Sequence, residues 1–165
     1  MGNDGLGKKA EKKIKEWLDH PELGYSFDRI PDQLSGFYGS RNICDFTLFK
    51  SPLYFYIESK ATWRPRFDFD MISEYQMTHL LEKSHIENVW SIIIVLFATE
   101  KRAFILNIQD IQNMIENGHK SLSITKIKKW PIPYVEIPTV ANSRKELLDY
   151  TGRIEDLILD LSPET

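Results

Sequence analysis

At 165 residues, 42% hydrophobic and 27% charged, the chain has room for one ordinary globular domain with a true core. No apolar run is long enough to span a bilayer, the first residues lack a signal-peptide layout, and the single Cys44 excludes an internal disulfide. A cytoplasmic protein with no membrane partner is expected, and the net charge of −3 argues against a general nucleic-acid coat.

Residues 6–19 read as a helix, because Leu6, Ala10, Ile14, Trp17 and Leu18 recur at the helical period and Pro21 and Gly24 end it. Tyr25 to Ile30 reads as a short strand, and the Pro, Gly and Ser content of 31–42 as a loop. Ile43–Phe49 and Leu53–Ala61 form a hairpin around Lys50-Ser51-Pro52. Trp63 to Asp70 is a loop of aromatic and charged residues, and Met71 to Ser84 a helix. Val89–Phe97 is a buried strand beside Ala103–Asn107; Ile108–Asn117 is a short helix closed by Gly118. Leu122–Lys128 is extended, the prolines of 130–138 exclude helix, and Ser143–Leu161 is the last helix, with Ser143 and Glu146 as its capping box. The order implies one α/β domain over residues 1–165, with a core at about 6–128 and an extension at 129–165.

The charge is unevenly distributed. Residues 141–165 hold the whole −3, so residues 1–140 balance to zero. Within those, Lys8, Lys9, Lys12, Lys13 and Lys15 cluster early, and Arg64 and Arg66 follow the hairpin beside Trp63 and Phe67. Local basic patches hold phosphates even on an acidic chain, and neighbouring aromatics stack on bases.

The most informative residues lie on the hairpin. Side chains alternate along a strand, so Glu58 and Lys60 face the same way, and Asp45 on the partner strand can approach them. Two carboxylates and a lysine on one sheet face suit metal-assisted hydrolysis of a phosphodiester. Mg²⁺ takes oxygen ligands and keeps several waters, so Asp45, Glu58 and the backbone carbonyl of Ser59 would suffice to hold it. Glu11 lies on a common helix side with Ile14 and Leu18, bordering the apolar stripe. Cys44, just before Asp45, reads as a small buried residue. The four histidines are scattered and show no metal-ligand spacing.

Asp45…Glu58-Ser59-Lys60 resembles the core of the PD-(D/E)xK nuclease superfamily, with Cys44 where the proline often stands. A closer likeness is to RecU-type Holliday junction resolvases. The approach Gly39-Ser40-Arg41-Asn42-Ile43-Cys44-Asp45-Phe46, the Glu58-Ser59-Lys60 strand, Phe67 and Phe69 in the following loop, and the helix carrying Gln76 all have counterparts there. The resemblance covers about residues 36–107. It implies a restriction-endonuclease-like α-β-β-β-α-β core, its mixed central sheet flanked by helices, with an extra C-terminal helix. It makes Asp45 and Glu58 metal ligands, Lys60 the group that positions water or stabilises the transition state, and Gln76 a fourth member touching the metal directly or through water. Glu11 is a further catalytic candidate, since nucleases of this fold often place a Glu on the first helix. Arg41, Arg64, Arg66, Lys8 and Lys12 are the expected DNA contacts.

Three departures stand out. Ile43 replaces a hydroxyl ligand found in some members, the chain is acidic where RecU-type enzymes are basic, and the hairpin turn is too short for a junction-binding stalk, which must come from 31–42 or be absent. The expected activity is a Mg²⁺-dependent endodeoxyribonuclease, with Mn²⁺ as a substitute, resolving four-way DNA junctions in recombination and repair as a homodimer. A small, acidic enzyme of this kind suits a phage origin. The alternatives are a restriction-like or homing endonuclease reading duplex sequence, and a catalytically idle DNA- or protein-binding module.

Overall fold

The computed structural model describes residues 4–31, 42–143 and 147–161. The first helix, α1 (Asp4–Leu18), leads into β1 (Ser26–Arg29). The hairpin β2 (Phe46–Lys50) and β3 (Leu53–Thr62) follows, then β4 (Arg66–Asp68) and α2 (Glu74–Ser84). Next come β5 (Val89–Phe97), β6 (Arg102–Asn107), α3 (Ile108–Glu116) and β7 (Ser121–Ser123). The chain closes with β8 (Val135–Glu136), β9 (Thr139–Val140), β10 (Asp149–Tyr150) and α4 (Ile154–Leu157).

Six strands form the central sheet in the order β1-β2-β3-β5-β6-β8. Only β3 and β5 run parallel, because α2 makes the crossover between them, so the sheet is mixed as expected. The continuous apolar run of β5 is explained by cover on both faces. Ile92, Ile94 and Leu96 join Phe46, Leu48, Phe55 and Ile57 under α1 and the C-terminal segment. Ile93, Val95 and Phe97 join Phe104 and Leu106 under α2 and α3. No helix among the described residues is long and apolar enough to cross a membrane.

The structure departs from the sequence reading in three places. The stretch 63–70 is not all loop: Arg66–Asp68 pairs with Ser121–Ser123, which buries Phe67 and Phe69. The extended reading of 122–128 holds only at its start, since Ile124–Lys129 coils into 3₁₀ turns whose Ile124 is buried. The long last helix is also absent. Asp149–Tyr150 pairs instead with Thr139–Val140, Gly152 adopts a left-handed φ of 88°, and helix begins only at Ile154. The apolar spacing from Tyr150 to Leu161 is genuine. Tyr150 meets it from a strand, however, edge-on to the Trp17 ring at 5.8 Å, and the glycine turn separates the two. Of the expected capping box, Glu146 lies outside the described residues.

Candidate active site

The site is built where the hairpin ladder stops short. Pairing of β2 with β3 ends at Phe46 opposite Ile57, while β3 continues along β5 to Thr62. One edge of β3 is therefore open beyond Ile57. The amide of Ile57's neighbour on that edge, Ser59, donates to the Asp45 carboxylate at 2.8 Å instead of to a strand. Amide and carbonyl of one strand residue point to the same side, so the Ser59 carbonyl also looks into this opening. That is the oxygen expected to complete a metal seat.

Glu58 is buried on the opposite sheet face from Ile57, at 2% exposure. One of its oxygens, Oε2, accepts a hydrogen bond from Gln76 Nε2 and lies 3.2 Å from Lys60 Nζ. The other, Oε1, is buried with no hydrogen-bond partner. Asp45 is within hydrogen-bonding reach of both Glu58 and Glu11. Its carboxyl is pushed up to about 7, first by burial and then by the negative charge of Glu58, against the pull of the Ser59 amide. Asp45 is thus buried beside Glu58, whose Oε1 has no hydrogen-bond partner, while Lys60 meets the other Glu58 oxygen, Oε2. All the donors are oxygens, which suits a hard divalent cation. Among the described residues no group of three His, Cys, Asp or Glu side chains is gathered to hold a metal ion, so the fit rests on Asp45, Glu58 and backbone oxygen.

Gln76 joins the site through the start of α2. Ser73 is the N-cap, its hydroxyl accepting from the Gln76 amide at 3.1 Å, while its own amide donates to Gln76 Oε1 at 3.3 Å. Lys60 Nζ reaches the same Oε1 at 3.5 Å. With Oε1 committed to the Ser73 amide and Lys60, the Gln76 side chain turns Nε2 to Glu58. Sequence reasoning missed Ser73, although Ser-x-x-Gln before an apolar run is a capping-box signal. Gln76, expected to touch a metal directly or through water, is brought into the cluster on Glu58 and Lys60.

Of the other expected residues, Glu11 is brought to the cluster from α1 and also lies 3.7 Å from Arg29, which went unnoticed in the sequence. Lys8 and Lys12 are exposed on α1 and line one concavity with Glu11. Arg64 and Arg66 both pair with Asp68, at 3.3 and 2.7 Å. Arg41 lies outside the described residues. Cys44 is the small buried residue expected, its thiol pushed up to about 12 by burial and by Glu58, so it stays protonated.

No curated protein matches the chain. Among solved structures, the fold is similar to Hjc, a Holliday junction resolvase from the archaeal hyperthermophile Archaeoglobus fulgidus. The identity is 14% and the TM-score 0.45, over 63% of this chain and 78% of that one. The family model for RecU, recombination protein U, matches residues 29–157, the segment that carries Asp45, Glu58, Lys60 and Gln76, and the chain belongs to that family.

Proposed function

We propose that this protein is a metal-dependent endonuclease of the RecU type that hydrolyses phosphodiester bonds at four-way DNA junctions, two copies acting on two strands. One observation carries the chemistry: the buried, unsatisfied Glu58 oxygen beside Asp45, with Lys60 alongside. Membership of the recombination family supports the substrate.

Asp45, Glu58 and the Ser59 carbonyl would hold a divalent cation of the Mg²⁺ type, which supplies neutralisation of phosphate charge and a more acidic water. The remaining work falls to the chain. Lys60, only 18% exposed, places a fixed cation next to the scissile phosphate, where it orients the attacking water and offsets charge growing on the phosphoryl oxygens. Gln76 holds the Glu58 carboxylate and accepts from Lys60, fixing both relative to the open edge of β3. Water adds to phosphorus, the P–O bond to the leaving sugar oxygen breaks, and a proton passes to that oxygen. A junction with two-fold symmetry calls for two symmetric sites, which is the physical ground for a homodimer.

The test is cleavage with Mg²⁺ or Mn²⁺ of a mobile four-way junction, linear duplex and single-stranded DNA in parallel. Preferential cutting of the junction is expected. Equal cutting of duplex and junction would replace the resolvase with a restriction-like enzyme, and no cutting with either metal would leave a binding module.

A further inference from the structure

Burial of Leu6, Ala10, Ile14 and Leu18 against the sheet fixes the rotation of α1. That rotation leaves Lys8, Lys12 and Lys15 exposed, with Glu11 between them. Spacings of three and four residues align the three lysines along one side of the helix, spanning roughly 10 Å of its axis. Together with Arg29 from β1 they line a concavity of about 500 Å³, with Phe46 among its walls. Four cations there face one carboxylate. Two of the pairings are loose: Lys12 lies 3.9 Å from Glu16, and Arg29 3.7 Å from Glu11. The exposed Lys12–Glu16 pair holds little at such a distance and yields to a phosphate.

The concavity adjoins Asp45 through one shared residue. Glu11 lines it and also reaches Asp45, and Phe46 directly follows Asp45 in the chain. The three lysines lie ahead of the segment that the family model matches. We propose that this groove seats the phosphodiester backbone of the DNA strand entering the active site, with Lys8, Lys12, Lys15 and Arg29 as its phosphate contacts. The proposal deepens the nuclease reading by giving that strand a path, and it relies on that reading for its direction toward Asp45.

The experiment measures binding of a labelled four-way junction and of linear duplex in EDTA, where nothing is cut, over a range of salt. The variants are Lys8→Gln/Lys12→Gln/Lys15→Gln and, as an equal charge change elsewhere, Lys126→Gln/Lys128→Gln/Lys129→Gln. Circular dichroism checks that both are folded. The groove variant should bind at least ~10-fold more weakly, and its log–log salt slope should fall by about 0.9 for each duplex phosphate that is no longer neutralised. The second variant should keep the wild-type slope. Unchanged affinity and slope in the groove variant would overturn the proposal, and so would an equal loss in both variants. Because binding is read without divalent metal, failure of the groove is distinct from failure of the nuclease reading, which shows as absent cleavage in Mg²⁺.

Discussion

Asp45 and Glu58 set a conflict at single-residue scale. Burial makes the Asp45 carboxylate costly where it sits, and the negative charge of Glu58 makes it costlier. The consequence can be measured in protein stripped of metal. Asp45 has a folded value of about 7 against 3.8 when unfolded, so the fold binds its proton more tightly than the unfolded chain does. Stability from this residue is full below the unfolded value and is lost as pH rises through about 7. In EDTA, Asp45→Asn should therefore melt higher than wild type at pH ~8 and no higher at pH ~4, by differential scanning calorimetry. Added Mg²⁺ should raise the melting temperature of wild type more at pH ~8 than at pH ~5, and should do little for the variant. In the cleavage assay Asp45→Asn should lose all activity while still binding DNA; full activity there would place the site elsewhere. Glu58 and Lys60 were legible in the sequence because strand alternation puts them on one face, and Asp45 because the hairpin brings the end of its strand alongside. Arg29 was not, since its nearness to Glu11 depends on how α1 lies across the sheet.

At the scale of elements, the start of α2 does two jobs with one set of bonds. The Ser73–Gln76 capping box satisfies helix-end amides and at the same time aims the Gln76 side chain. Ser73→Ala should cost about 1 kcal/mol in urea unfolding, as N-cap removal commonly does. It should also lower kcat more than it raises KM for DNA, because the Gln76 backbone loses the bond that fixes the first helical turn, even though the Ser73 amide still reaches Gln76 Oε1. Ser73→Thr, which keeps the hydroxyl, should restore turnover; equal turnover in all three proteins would reduce Ser73 to a structural cap. The long elements of the fold were readable because period and length agree, as in α1, α2 and β5. The short ones were not. The β4–β7 pairing joins residues more than fifty positions apart with three register partners, and no local pattern announces such a contact. The C-terminal helix was overextended because apolar spacing does not distinguish one helix from a strand followed by a turn and a shorter helix.

Across the whole molecule, the C-terminal segment acts as a clasp on α1. Lys13, buried, pairs with Asp149; the Trp17 indole donates to the Gly152 carbonyl at 2.8 Å; and Tyr25 donates to Glu155. Leu147, Tyr150, Ile154, Ile158 and Leu161 complete the core on that face. A chain ending at residue 140 should unfold at markedly lower denaturant than the full chain, and should expose α1 to early hydrogen exchange. Unaltered exchange across 4–18 would show that α1 docks without the clasp. A different consequence comes from the hairpin of β2 and β3. Its ladder runs without a break from Lys50 opposite Leu53 to Phe46 opposite Ile57, and only beyond that last pair do the proposed catalytic residues begin. Slipping the ladder by one residue would turn Glu58 and Lys60 to the other face, so the proposed site depends on the same register that the core packing fixes. Ser51 and Pro52, by contrast, belong to no pair. The tip and the active end are thus separate modules on one hairpin. Chain could be added or removed at the tip over evolutionary time, changing how substrate is gripped, while the carboxylates stay where the ladder leaves them.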